Sequence, residues 1–241
     1  MTKVTVLVPT HEHSGTLEVS VASALAQTER DFEVLIVGDG PTDEVRAAGE
    51  RLATLDSRVR FIPFQKGERH GEASRHEVLK GAVGRIVCYL SDDDLWFPDH
   101  LETMLALLSG DFLAHTRPTY TFPNGLTGLY EGSINDMLDG RNHVPLSAMG
   151  HTMAAYRALP VGWSPAPLDI YTDLHMWQKF LSAGFRIEAS QAPTVIHLSS
   201  MQRVSWSQDA RREELDRWMR LVSTDPNAVR KALLDAVPIP R

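Results

Sequence analysis

Ile86-Val87-Cys88-Tyr89-Leu90-Ser91-Asp92-Asp93-Asp94 decides how this chain folds. An apolar run with no polar alternation passes, within one residue, into three consecutive carboxylates. Such a run suits a strand buried on both faces, which is how the strands of a parallel sheet read. The same grammar recurs three times upstream. Val4-Thr5-Val6-Leu7-Val8 is broken by Pro9-Thr10-His11, Phe32–Val37 ends at Gly38-Asp39-Gly40-Pro41, and Val59–Phe64 ends at Gln65. Between these runs, Leu17, Val21, Ala24 and Leu25 follow a capping Ser14 at helical spacing. Val45, Leu52 and Leu55 do likewise, and Glu72–Ala82 reads as a third helix. Strands alternating with helices of this length imply a parallel sheet covered on both faces. Ligands bind such sheets at the carboxyl ends of the strands, here Pro9–Glu12, Gly38–Asp43, Gln65–Arg69 and Ser91–Asp94.

The second half follows another pattern. Pro118–Tyr130 carries Pro123-Asn124-Gly125 between Thr-, Tyr- and Phe-rich segments and is expected to form a hairpin. Pro160–Pro167 reads as a long loop, Asp173–Ala183 as a helix and Thr194–Leu198 as a strand. Asp209–Val222 is a helix with Leu215, Trp218, Met219 and Val222 on one face, expected to pack on the domain. Arg211, Arg212, Arg217 and Arg220 keep a membrane-surface or dimer contact open for it.

The 241 residues carry 24 Lys and Arg against 31 Asp and Glu, a formal net charge of -7. That balance argues against a partner that is a nucleic-acid polymer, which needs a basic surface to displace counterions. One cysteine, Cys88, leaves no intramolecular disulfide and no multi-cysteine metal site. No signal peptide and no apolar run long enough to cross a membrane is legible, so a cytoplasmic protein is expected.

Asp92, Asp93 and Asp94 repel one another, and holding them at the end of a buried strand calls for compensating charge. A hard divalent cation bridging to a diphosphate would supply it. A solvated acidic turn opening the next helix is the alternative.

The motifs, taken in order, resemble the inverting, GT-A type glycosyltransferases of family two, of nucleotide-diphospho-sugar transferase fold. V-T-V-L-V-P-T-H-E is followed by S-A-L-A-Q-T-E-R-D-F-E-V-L-I-V-G-D-G-P-T-D, then E-A-S-R-H-E-V-L-K-G-A-V-G-R-I-V-C-Y-L-S-D-D-D-L-W-F-P-D-H-L, then T-D-L-H-M-W-Q-K-F-L-S-A-G-F-R-I. The likeness covers about residues 3–198. It implies an α/β fold: one GT-A domain over residues 1–205, with a Rossmann-like, mostly parallel central sheet flanked by helices and a smaller mixed β part. Residues 1–117 would be the nucleotide-binding half and 118–205 the acceptor-binding half, with 206–241 a helical extension packed on the domain.

The resemblance also implies a site. Pro9, Thr10, His11 and Glu12 would line the nucleoside pocket, Asp39 would accept from the base, and Arg75 would lie near base and phosphates. Asp92 would sit near the ribose, with Asp93 beside it. Asp94 would ligate Mn²⁺ or Mg²⁺, joined by His197. Asp173 would be the general base for a single in-line displacement, although Thr172 or Asp173 is also an ordinary N-cap. His151 is a weaker candidate to face the donor sugar. The implied ligands are a nucleotide-sugar, with a UDP-sugar favoured, and a glycan, lipid-linked or small-molecule acceptor. Contact would be no more than peripheral with a membrane, and the chain a monomer or homodimer.

The sequence departs from the family pattern at three places. Gly38 replaces a frequent Asp, Pro41 a frequent Ser, and Thr172 the usual Glu. The changes at Gly38 and Thr172 support a second reading, a non-catalytic nucleotide-sugar-binding protein of the same fold. A sugar nucleotidyltransferase is a third, opposed by the lack of a Gly-rich basic loop after the first strand. Gln202-Arg203-Val204-Ser205-Trp206 has Ser205 where processive synthases carry Arg, so transfer of one sugar is expected.

Overall fold

The structure is a computed structural model that describes residues 2–110, 112–125, 127–129 and 134–235. The elements of the first half are β1 (Val4–Thr10), α1 (Ser14–Leu25), β2 (Phe32–Asp39), α2 (Asp43–Leu55), β3 (Val59–Phe64), α3 (Glu72–Lys80) and β4 (Ile86–Tyr89). There follow β5 (Leu95–Trp96), α4 (His100–Leu107), β6 (Leu113–His115), β7 (Thr119–Thr121), β8 (Thr127–Leu129), α5 (Ile134–Leu138), β9 (Met149–Thr152) and α6 (Met153–Ala158). The chain continues through α7 (Thr172–Ser182), β10 (Ile187–Ala189), β11 (Val195–Ile196), α8 (Gln208–Thr224) and α9 (Pro226–Leu234).

Seven strands form the central sheet in the order β10-β6-β9-β4-β1-β2-β3. The four apolar runs of the first half pair in parallel, Val6 opposite Val34 and Cys88 and Val34 opposite Val59. Because β1, β2 and β4 are covered on both faces, their side chains are almost wholly buried, which explains the missing alternation. β9 alone runs antiparallel, between β4 and β6. Helices dock on both faces, and a single apolar core runs from Val4 and Leu35 through Tyr89 to Trp177 and Phe180.

A short second sheet, β11 against β5, carries the acidic turn's downstream flank. Beneath it a smaller apolar cluster joins Val19, Leu95, Phe97, Ile196 and Leu198 to Leu215 and Val222 of α8, with Trp218 and Met219 partly buried against them. The apolar face of α8 is thus packed against β5, β11 and α1. The hairpin also forms, β7 against β8, although Leu126 and Tyr130 of the expected stretch lie outside the described residues, as do residues 236–241 of the extension. No helix among the described residues is long and apolar enough to cross a membrane.

Candidate functional site

The carboxyl ends of β1 to β4 open on one cleft of about 470 Å³. All four strand-end loops reach it: Pro9, Thr10, His11 and Glu12 from the first, Asp39 from the second, Lys66 and Arg69 from the third, Ser91, Asp92 and Asp93 from the fourth. Tyr171, Thr172 and Asp173 face them from the start of α7.

One wall is acidic. Asp92 and Asp93 line the cleft, while Asp94 lies behind it, wholly buried. The His13 ring meets Asp92 Oδ1 at 3.2 Å and the Ser200 hydroxyl donates to Asp93 Oδ2. Asp94 accepts from Ser147 Oγ at 2.5 Å, from the Leu198 amide at 2.9 Å and from His197 Nδ1 at 3.0 Å. Burial first, then the Asp94 and Asp92 charges, push the Asp93 carboxyl up to about 7. At His197 burial opposes protonation, but Asp94 outweighs it and the imidazole is raised.

Asp94 and His197, the expected metal ligands, therefore do meet, as a hydrogen-bonded pair. Among the described residues no three His, Cys, Asp or Glu side chains converge to hold an ion. Carboxylate oxygens with one imidazole nitrogen suit Mn²⁺ or Mg²⁺ in the mode where two protein ligands hold the ion and phosphate oxygens complete its shell. The donor types suit such a cation, while here both Asp94 oxygens are taken by Ser147, Leu198 and His197 and neither side chain lines the cleft.

The opposite wall is basic. Lys66 Nζ donates to Asp39 Oδ2 at 2.6 Å and the Gly67 amide to Oδ1 at 2.7 Å. Each oxygen keeps a lone pair for a ring N–H. Gly71 underlies this arrangement: its φ is 74°, and a Cβ there would stand 2.6 Å from Asp39 Cγ. Arg75 is buried, its guanidinium 4.8 Å above the Trp163 ring and donating to the His70 carbonyl at 2.8 Å. Buried Thr10 Oγ1 and Arg75 Nε have no partner among the described residues, so the cleft holds polar groups that a ligand could satisfy. Arg69, the one non-glycine residue with positive φ among the described residues, at 55°, lines the same wall.

Asp173 lines the same cleft from the start of α7. It is not an N-cap, since α7 begins at Thr172 behind Tyr171 and no side chain caps it. Its Oδ1 accepts from Asn142 Nδ2 and from the Leu174 amide, both at 2.9 Å. Burial raises its carboxyl above the usual range, against those two bonds and the Arg75 charge. A carboxylate of raised basicity, held by one oxygen and facing a cleft, can take a proton from a hydroxyl.

Two departures from the family pattern find a physical reason. The Thr172 hydroxyl donates to Glu72 Oε1 at 3.1 Å. Glu72 is wholly buried and also accepts from the His70 and Ala166 amides. Thr172 thus meets a carboxylate of α3, although Glu72 itself does not line the cleft. At Gly38 a Cβ would press on Pro41 Cγ at 2.9 Å and on Phe61 at 3.2 Å, so glycine at 38 goes with proline at 41.

One expectation fails. His151 lies in β9, wholly buried and away from the cleft, donating from Nδ1 to the Thr152 carbonyl while Nε2 accepts from Tyr89 Oη at 2.7 Å. It is a core histidine, kept neutral by burial, which lowers its pKa to about 4. His13, Lys66, Arg69, His70 and Ser200 were not singled out by the sequence. Lys66 and Arg69 lie on a strand end that the βα pattern does mark.

Residues 5–158, well over half of the chain, match the model of glycosyl transferase family 2. The chain belongs to that family. It is 29% identical over 107 residues to the Escherichia coli UDP-Glc:alpha-D-GlcNAc-diphosphoundecaprenol beta-1,3-glucosyltransferase WfgD, a match covering 44% of this chain and 40% of that protein. It is 32% identical over 106 residues to the Bacillus subtilis putative teichuronic acid biosynthesis glycosyltransferase TuaG, covering 44% of this chain and 41% of that one. An uncharacterized glycosyltransferase of Rickettsia felis is 29% identical over 119 residues, 49% of this chain but 19% of the relative. The chain thus spans less than half the length of these relatives.

Among solved structures, residues 1–349 of Staphylococcus aureus TarS in complex with UDP-GlcNAc superpose with a TM-score of 0.62 at 17% identity, over 82% of this chain and 58% of that one. The Pyrobaculum calidifontis mannosyltransferase PcManGT in complex with GDP-Man and Mn²⁺ gives 0.56 at 21% identity, over 82% and 56%. These two show the GT-A fold.

Proposed function

We propose that this chain transfers one sugar from a nucleotide-diphosphate sugar, a UDP-sugar by preference, to a hydroxyl of a lipid-linked glycan, with inversion. The observation that carries this reading is the placement of Asp173 in one cleft with Asp39, Arg75 and the acidic turn. A proton acceptor and a nucleotide-sized polar site share the carboxyl edge of the sheet. The undecaprenol-linked acceptor of the Escherichia coli relative supports a lipid-linked acceptor, and the nucleotide-sugars in both structural neighbours support the donor class.

Asp39 accepts a base N–H, Thr10 and His11 flank the nucleoside, and Arg75 and Asp92 fix its sugar and phosphates. Asp173 removes the acceptor proton as that oxygen attacks the anomeric carbon and the bond to the diphosphate breaks, so one displacement inverts the centre. Asp94 and His197 are the residues we assign to Mn²⁺ or Mg²⁺, which when bound neutralises charge on the departing diphosphate.

The test is incubation with Mn²⁺, a panel of nucleotide-sugars and a diphosphoundecaprenol-linked sugar, reading released nucleotide and the anomeric configuration of the product. Release from one donor with an inverted linkage is expected. Tight donor binding without release, with every acceptor tried, would favour the non-catalytic reading instead.

A further inference from the structure

Arg211 is one of four arginines on α8 that the sequence alone sets on a solvated basic face, yet it is 91% buried and aimed at the back of the acidic wall. One terminal nitrogen lies 3.1 Å from His13 Nε2 and 3.4 Å from Ser200 Oγ; the other donates to the Arg203 carbonyl at 2.8 Å and reaches the Ser200 carbonyl at 3.5 Å. Because Arg211 can only donate, His13 Nε2 accepts and its proton sits on Nδ1, where it is given to Asp92. The Ser200 hydroxyl is likewise given to Asp93. One guanidinium therefore stands behind both carboxylates that face the cleft.

Resting on the donor assignment above, we propose that Arg211 is a positioning residue of the donor site: through His13 it fixes Asp92 and through Ser200 it fixes Asp93. The C-terminal helix is then part of the site, and the boundary expected at residue 205 does not divide function. Docking of α8 does not depend on Arg211. A neighbouring buried pair, Arg203 with Glu214 at 2.5 and 2.8 Å, already ties the helix to the turn, and Leu215 and Val222 bury its apolar face. Losing Arg211 should therefore loosen two carboxylates without releasing the helix.

The experiment compares the full-length wild type with Arg211→Met, Arg211→Lys, the double variant His13→Ala/Ser200→Ala, and the triple variant adding Arg211→Met. Binding of UDP and of GDP, each with Mn²⁺, is measured by calorimetry beside thermal melting. In Arg211→Met the Kd for the bound nucleotide should rise on the order of 10- to 100-fold, the usual cost of removing a group that orients a ligand-holding residue. Arg211→Lys should fall between, since an ammonium cannot fork to both partners. The triple variant should bind no worse than the double, because Arg211 would have nothing left to position. Unchanged affinity in a folded Arg211→Met, or a full additional loss in the triple variant, overturns the proposal. A folded wild type that binds neither nucleotide overturns the donor assignment itself, and with it this inference.

Discussion

Asp173→Asn isolates the proton-accepting step, because asparagine keeps the shape and its Oδ1 can still accept from Asn142 and the Leu174 amide. What is lost is the basicity of the second oxygen. A positioned general base contributes roughly 10²- to 10⁴-fold, so the barrier should rise by about 3 to 5 kcal/mol at 1.36 kcal/mol per tenfold. The loss should appear in kcat, with the KM for the donor unchanged, since the base and phosphate contacts are assigned to Asp39, Arg75 and Asp92 rather than to Asp173. Released nucleotide, measured at saturating donor and acceptor, reads it directly. The pH profile supplies an independent check. In the wild type the acid limb of kcat should lie above the ordinary carboxylate range, because burial raises the Asp173 carboxyl. Replacing Asn142 by leucine removes a bond that favours the ionised form, so that limb should move to still higher pH. A kcat in Asp173→Asn within about threefold of wild type would refute the base assignment, because such a change is under 1 kcal/mol.

Three further outcomes follow from the packing. His100 and His151 are held neutral, lowered to about 3 and about 4 by burial, against about 6.5 when unfolded. At these two sites the unfolded chain binds more protons below pH 6.5, so their contribution should be fully present above that value and be lost as pH falls toward 4, on the order of 3 kcal/mol for His151, while Asp93 and His197, raised in the fold, act in the opposite sense; urea midpoints of wild type and His151→Phe at pH 7 and pH 5 isolate the His151 share, and a difference between the two proteins that does not change with pH would contradict it. Gly71→Ala places a Cβ 2.6 Å from Asp39 Cγ at a φ of 74°; a loss of about 1 to 2 kcal/mol from the left-handed backbone and a weakened nucleotide Kd are expected by melting and calorimetry. Cys88 is fully buried and its thiol is pushed up by burial, so alkylation in native buffer should proceed only as fast as the protein opens, and rapid labelling would contradict its place in β4.

The first four strands and the three helices between them were legible because a strand covered on both faces must be apolar throughout, and each such run ended at a polar loop. β6, β9 and β10 were not, for identifiable reasons. β9 is Met-Gly-His-Thr, with His151 satisfied only by Tyr89 and a neighbouring carbonyl, and β10 is an edge strand with two exposed residues. Neither carries the β-branched signature, and three to four residues are too few for periodicity to show. At the site, Asp39, Asp92 and Asp173 were legible as carboxylates at strand or helix ends. The network of His13, Ser200 and Arg211 was not, since the three meet only when α8 folds back on α1. Spacing along the chain holds no trace of that contact, and on α8 Arg211 reads like its exposed neighbours. The carboxylate that Thr172 meets was hidden in the same way, 100 positions upstream.

The Glu72–Thr172 bond bears on how the two halves of this protein can be exchanged or diverge. Glu72 is a wholly buried carboxylate in the first half of the chain, and part of its coordination comes from residues 166 and 172 in the second half. A chimera that joins residues 1–117 to the second half of another family member would bring in that member's residue at 172. If it is Glu, two carboxylates meet in a buried site, and if it is apolar, Glu72 loses a donor it has no water to replace. Residues 72 and 172 should therefore change together in any lineage or any graft, so a change at the start of α7 is constrained from the start of α3.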